Sequence, residues 1–366
     1  MVNNDVSALR PSRRNNFNII RLIAALFVMS GHMAYIAGVN APSFAGIEIH
    51  HIGVIVLFLI GGYLVTKSWL SDPHPGRYAL KRFVRLWPPF AVFVLLMVYV
   101  AGPMLSELGR TAYFQSDYKG FLYNLYLYIV YYLPGVFSRD MPIVNVMNGS
   151  LWTIPVEAAL YVACPVVLLI CGFRATPEKR GRRVAALAAA ALLAEWVHAR
   201  YFPASRAIFY ATDWLAAWNL ITCYLIGMAA ACLGIERLLN VQAAVVLMAF
   251  ASMTKFDRGL QEIVGMVSIA YFVFSFALME KPLFAGFARK YELSYGIYLY
   301  GFFFQQLMAW ELNVQLKLSL TCMQLFFASL LPTLAAAWLS CVLIEKPLIR
   351  LTNRICKRPQ TACKIN

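Results

Sequence analysis

The sequence predicts an all-α fold, a polytopic helical bundle integral to a membrane, with about ten transmembrane helices and one further interfacial or re-entrant segment. Three observations predict it. Apolar residues make up 61% of the 366 and charged residues only 13%, far from a soluble composition. Several stretches stay apolar for about twenty residues, the length a helix needs to cross a bilayer. The 32 Lys and Arg, against 17 Asp and Glu, gather between those stretches rather than along one face. Retention of positive loops on the cytoplasmic side produces that distribution. It also argues against a nucleic-acid partner for a chain of net charge +15.

The candidate spans are 17–38, 48–70, 82–102, 119–134, 150–172, 184–203, 211–234, 239–254, 261–279, 291–312 and 319–345. Charge tests whether all of them cross. Arg10, Arg13 and Arg14 put the N-terminus inside, and Arg77, Lys81, Arg82 and Arg85 do the same for the second connection. The densest internal cluster is Arg174, Lys179, Arg180, Arg182 and Arg183. It faces inside only if 119–134 does not cross. That segment carries Tyr118, Tyr123, Tyr126, Tyr128, Tyr131 and Tyr132 in and around it, a composition suited to an interface. Arg289, Lys290, Arg350, Arg354, Lys357 and Arg358 then also fall inside. The result is ten spans in a cytoplasmic (inner) membrane with both termini cytoplasmic. A basic N-terminus at 1–16 and a basic tail at 347–366 flank a membrane domain at 17–346.

The first apolar stretch is too long for a cleaved signal peptide and lacks a small-residue cleavage site. The eight cysteines show no C-x-x-C spacing and sit mostly in apolar segments, which reads as packing rather than a disulfide or metal framework.

The residues that carry chemistry lie inside the spans. Arg21 and His32 are eleven residues apart, so on one helix they fall within about 20° of each other and differ in depth by about 16 Å. A titratable group that deep is costly and normally faces a protein interior or a water-filled cavity. Imidazole suits proton transfer near neutrality, and it equally suits a structural hydrogen bond to a neighbouring helix. If the fifth segment enters the membrane near Ser150, Glu157 sits about 10 Å down, at a depth similar to His32. A carboxylate there would fix the imidazole tautomer, or the two would form a structural pair. Arg82 and Arg85 are one turn apart at the start of the third helix. Their guanidinium forks suit phosphate and equally suit lipid headgroups. Pro88 and Pro89 sit in that helix's first turn or kink it. His50 and His51 read as rim residues, Glu195 and His198 as a mutually satisfied i, i+3 pair, and Glu280-Lys-Pro and Glu345-Lys-Pro as helix stops.

Together these residues resemble the membrane-bound acyltransferase family 3, whose best-known members O-acetylate bacterial surface sugars. The pieces are Arg21 with ten residues before His32, Gly53-Val-Ile-Val-Leu-Phe58-Leu-Ile-Gly61-Gly62-Tyr63-Leu64, and Arg82-Phe-Val-Arg85. They continue with Ser150-Leu-Trp152-Thr-Ile-Pro-Val-Glu157, Leu293-Ser-Tyr-Gly-Ile-Tyr298-Leu-Tyr300 and Glu345-Lys-Pro347. Two positions depart from the family: Gly61, where serine is frequent, and Gly301, where histidine is frequent. The chain is also expected to lack the extracytoplasmic hydrolase-like domain of some members.

The resemblance implies an O-acetyltransferase. Acetyl-CoA is its expected donor from the cytoplasm, and a carbohydrate hydroxyl, lipid-linked or free, its expected acceptor, with lipids as the surrounding partner. No permanently bound cofactor or metal is implied. Arg21, Arg82 and Arg85 are expected to hold the donor's phosphates, His32 to act as general base or acyl relay, and Glu157 to orient it. Ser150, Trp152 and Tyr298 are expected to meet the acceptor. The rival reading is a transporter or flippase of a lipid-linked saccharide.

Overall fold

The computed structural model describes residues 15–356 other than 203, 204, 206 and 289. Arg10, Arg13, Arg14, Arg289, Lys357 and Arg358 therefore lie outside the described residues. The chain runs through α1 (Phe17–Ile36), α2 (Ile49–Ser71), α3 (Pro75–Leu96), α4 (Gly102–Leu105) and α5 (Arg110–Gln115). It continues through α6 (Thr153–Gly172), α7 (Pro177–Tyr201), α8 (Trp214–Leu233) and α9 (Val241–Met253). It ends with α10 (Arg258–Ala277), α11 (Ser294–Met308), α12 (Cys322–Ser340) and α13 (Lys346–Ile355). Two small antiparallel hairpins, Ser43–Phe44 with Ile47–Glu48 and Ile208–Phe209 with Thr212–Asp213, are the sheet among the described residues.

Seven of the described helical stretches are long and apolar enough to cross a membrane. Three more, α7, α9 and α11, run between the same two ends. Of these α7 is long but more polar, α9 is shorter and apolar, and α11 is shorter with Gln305 and Gln306 among its aromatic residues. At one end the chain entry meets the close of α10, where the Asn16 N–H donates to the Ala277 carbonyl at 3.1 Å. The turns 72–74 and 173–176 come together at this end, where Pro73, Leu169 and Arg180 line one cavity. We refer to it as the basic end. At the far end lie both hairpins and the α9–α10 turn, and the start of α10 approaches the close of α7 at Gly259 and Ala199.

Segment 119–134 forms no crossing helix. A 3₁₀ stretch at Tyr118–Tyr126 is closed by Asn124, whose amide donates to the carbonyls of Phe121 and Val130 at 2.8 and 2.9 Å. Thus α3 delivers the chain to the far end and α6 leaves from it, while Tyr123 and Tyr126 stay exposed. The cluster at 174–183 is thereby on the same end as Arg77 and Lys81.

Two boundaries differ from expectation. The third helix begins at Pro75, not near residue 82, because Pro75 is preorganised for the first turn and the His74 imidazole accepts from the Arg77 N–H at 3.3 Å. Arg82 and Arg85 are therefore two turns inside the helix, and Pro88 and Pro89 are in its interior. The last helix does not stop at Glu345-Lys-Pro347. A π turn at Cys341–Glu345 widens the helix where Pro347 withholds its N–H, and the chain continues as α13.

Close backbone contact sets the centre of the bundle. A Cβ on Gly62 would lie 2.1 Å from the Tyr224 carbonyl oxygen, and one on Gly227 2.2 Å from that of Leu59. Only glycine lets α2 and α8 meet this closely. Helix α2 is also seated on α1, where a Cβ on Gly53 would lie 2.4 Å from the Ala24 oxygen.

Candidate active site

The buried charge surrounds a chamber toward the basic end, lined by Arg21 of α1, Arg82 and Arg85 of α3, Glu157 and Tyr161 of α6, and Tyr295 and Tyr298 of α11. Its arginines are not equivalent. Arg85 is engaged by two carboxylates: Nη1 lies 3.1 Å from Glu345, and Nη2 contacts Glu292. Glu292 also accepts the Ser294 N–H at 3.0 Å at the start of α11, and Glu345 closes the π turn of the last helix. Arg85 therefore ties together three segments that are more than 200 residues apart at the extremes.

Arg82 and Arg21 differ. Among the described residues neither has a carboxylate within 4 Å. Arg82 lies over the rings of Tyr78 and Tyr161, at 5.8 and 5.6 Å, and its Nε is buried without a hydrogen-bond partner. A planar cation braced on aromatic faces with an unused donor suits an incoming phosphate. Of the three arginines expected to meet phosphate, Arg85 is held by two carboxylates, whereas Arg21 and Arg82 have none within 4 Å among the described residues.

A second chamber lies toward the far end, lined by His32, Tyr35, His50, His51, Trp152 and Phe302 among others. His32 Nδ1 lies 3.2 Å from the Ser150 hydroxyl, and its Nε2 has no protein partner among the described residues. Ser150 is itself fixed. Its N–H donates to Asn148 Oδ1 at 2.8 Å, and its carbonyl accepts from the Tyr298 hydroxyl at 2.9 Å. Asn148 is anchored through its amide to the Leu299 carbonyl at 2.7 Å. The His32 ring meets Phe302 edge-on at 5.2 Å and His50 at 5.5 Å.

Glu157 does not pair with His32. Its carboxylate accepts from the Tyr161 hydroxyl and belongs to the chamber with the arginines. The two residues expected at similar depth are separated because the chain before α6 descends into the bundle: Asn148, Ser150 and Leu151 are all buried. Helix α6 thus starts at the level of His32, and Glu157 is a further turn below. Ser150, expected on the acceptor, is the partner of His32 instead. Trp152 lines the far-end chamber, and Tyr298 lines both. His50 and His51, expected as rim residues, line the far-end chamber at the start of α2. Glu195 accepts from Asn219 at 2.6 Å and His198 meets Ser205 at 2.9 Å, so that expected pair does not form.

The two chambers share Val54 and Tyr298 as a common wall, with Arg21 below and His32 above on one helix. A family model described as an acyltransferase domain matches residues 14–344. The chain belongs to acyltransferase family 3. It is similar to nodulation protein 10 of Rhizobium leguminosarum bv. viciae, at 29% identity over 203 residues, 52% of this chain and 52% of the relative. It is also similar to an O-acetyl transferase of Shigella phage Sf6, at 27% identity over 165 residues, 43% of this chain and 46% of the relative. The chain spans about half the length of the curated relatives it matches, and no solved structure matches it.

The two departures from the family pattern have different surroundings. Gly61 faces the arginine chamber, where an added Cβ would make ordinary contact with the Tyr224 ring at 3.7 Å. Gly301 is packed: a Cβ there would come to 2.8 Å from Met29 Cγ, so an imidazole requires Met29 to move. Sequence reasoning missed Glu292, Asn148 and the binding role of Glu345. Only Glu345 carried a signal, the acidic residue of Glu345-Lys-Pro347, which reads as punctuation.

Proposed function

We propose that this family member is a membrane O-acetyltransferase that takes an acetyl group from acetyl-CoA at its basic, cytoplasmic end. It passes the group to a hydroxyl of a surface or secreted carbohydrate at its far end. The observation that supports this most is the pair of chambers meeting at Tyr298, open guanidiniums in one and an imidazole in the other. Arg21 and Arg82 meet the donor's phosphates. The pantetheine arm runs the roughly 16 Å of α1 from Arg21 to His32, a distance comparable to its extended length. Basic residues gathered at one end support an inner-membrane orientation with that end and both termini cytoplasmic.

In this reading His32 donates its Nδ1–H to the Ser150 hydroxyl, which leaves the Nε2 lone pair free as general base. Nε2 takes the proton of the acceptor hydroxyl, and that oxygen attacks the thioester carbonyl carbon. The C–S bond breaks, and the departing thiolate takes the proton from the imidazolium. The products are an ester and the free thiol of coenzyme A. Ser150 acts through His32, as a positioning residue. Glu157 stays with the donor, braced by Tyr161 among the arginines. Trp152 and the aromatic residues around His32 supply faces on which a sugar ring stacks.

The test is transfer of radiolabel from acetyl-CoA to lipid-linked glycans by the purified protein. Wild type forms labelled ester and His32→Ala does not. Full transfer by His32→Ala, or labelled coenzyme A moiety carried across with no ester formed, overturns the proposal.

A further inference from the structure

A third cavity opens at the basic end, below the arginine chamber. Arg21, Leu64, Arg82 and Arg85 line both, so the two are continuous. The remaining wall comes from Lys81 and Val84 of α3 and from α13, through Ile349, Thr352 and Asn353. This wall exists only because the last helix passes through Pro347 instead of stopping there. Helix α13 is strongly amphipathic, with Thr352 buried and Leu351 and Arg354 exposed. The Asn353 amide has no hydrogen-bond partner among the described residues, although it offers two donors and an acceptor at the cavity edge. Lys81 contacts Asp72 at 3.3 Å, but Arg77 already engages both oxygens of that carboxylate.

We infer that this cavity is a nucleotide subsite, which takes the phosphorylated adenosine end of the acyl thioester, with α13 as its recognition element. The inference rests on the donor reading above and extends it to residues not assigned there. Lys81 and Arg82 meet phosphate oxygens, the Asn353 amide hydrogen-bonds the adenine edge, and Ile349 packs on the ring. Phosphate chemistry is shared by two sources at a membrane edge, the nucleotide and an anionic lipid headgroup. An amide and an aliphatic side chain beside the cations match a base better than a lipid glycerol. The path onward to the thioester chamber favours the nucleotide as well.

The probe is adenosine 3′,5′-bisphosphate, titrated by calorimetry into the full chain in phosphatidylcholine nanodiscs. The wild type binds it. Asn353→Ala weakens binding about three- to tenfold, the range of one neutral hydrogen bond, while Leu351→Ala on the exposed face of the same helix binds as wild type. Repeating the titration with phosphatidylglycerol in the disc leaves binding in place; its abolition would identify a lipid site and overturn the inference. In the transfer assay, preference for acetyl-CoA over acetyl-pantetheine falls by the same factor in Asn353→Ala and is kept in Leu351→Ala. If wild type transfers acetyl from both donors and Asn353→Ala has an unaltered preference, the α13 subsite is wrong and the acyltransferase reading stands. If wild type transfers from neither donor, the acyltransferase reading fails, and the calorimetry still decides whether the cavity takes a nucleotide.

Discussion

The two chambers divide the work by chemistry. Toward the basic end the walls carry three guanidiniums and the Glu157 carboxylate, with Glu292 and Glu345 held on Arg85, whereas around His32 the walls are mainly aromatic rings and two further imidazoles. Charge that recognises phosphate is kept away from the group that must hold a bare lone pair. The same division recurs on a smaller scale within α3. Arg82 and Arg85 are one turn apart and chemically identical, yet one is braced on rings with a donor unused and the other is closed by two carboxylates. Residue type and spacing are the same, and the surroundings assign opposite roles.

The largest effect expected from breaking this division is at His32. His32→Ala lowers kcat by about 10²- to 10⁴-fold, the contribution of a general base, while calorimetric affinity for coenzyme A is unchanged. A parallel loss of coenzyme A binding would merge the chambers into one site.

Next come the two arginines. Arg85→Ala leaves Glu292 and Glu345 buried without their counter-ion, a loss of about 3–5 kcal/mol, read as a fall in melting temperature and in membrane yield. Arg82→Ala melts as wild type and loses coenzyme A affinity about 10- to 100-fold, the range of a charge-assisted hydrogen bond. If the two variants behave alike, the contrast within α3 is wrong.

The smallest effect is at Ser150. Ser150→Ala removes the hydroxyl that meets His32 Nδ1 and lowers kcat about two- to tenfold with KM unchanged, in proportion to one hydrogen bond. Its pH–rate profile shifts with it, which loss of a purely structural contact would not produce.

Much of this was legible along the chain and little of it across the chain. Arg21 and His32 could be placed on one face because helical periodicity is local. The failure of 119–134 to cross could be read from loop charge, since orientation is written in nearby Lys and Arg. The start of α3 was legible in principle, through Pro75 and His74, but hydropathy alone hides a polar first turn. Contacts between distant residues were not legible. Glu292 and Glu345 lie 207 and 260 positions from Arg85, and Ser150 lies 118 from His32. Glu292 carries no signal of its own, and the motifs that hold Ser150 and Glu345 do not say which residue each one meets. The descent of residues 148–151 into the bundle, which moved Glu157 out of reach of His32, follows from packing that no periodic pattern records.

Sidedness tests transfer across the membrane most directly. Cysteines at two exposed positions, Lys179→Cys at the basic end and Arg139→Cys at the far end, report the orientation of the protein in proteoliposomes through an impermeant maleimide. With acetyl-CoA confined to the side that labels at position 179 and a water-soluble acceptor sugar on the side that labels at 139, an acetyl ester forms on the sugar. None forms when the two solutions are exchanged. Ester formation only when donor and sugar share one side would rule out transfer between the two chambers.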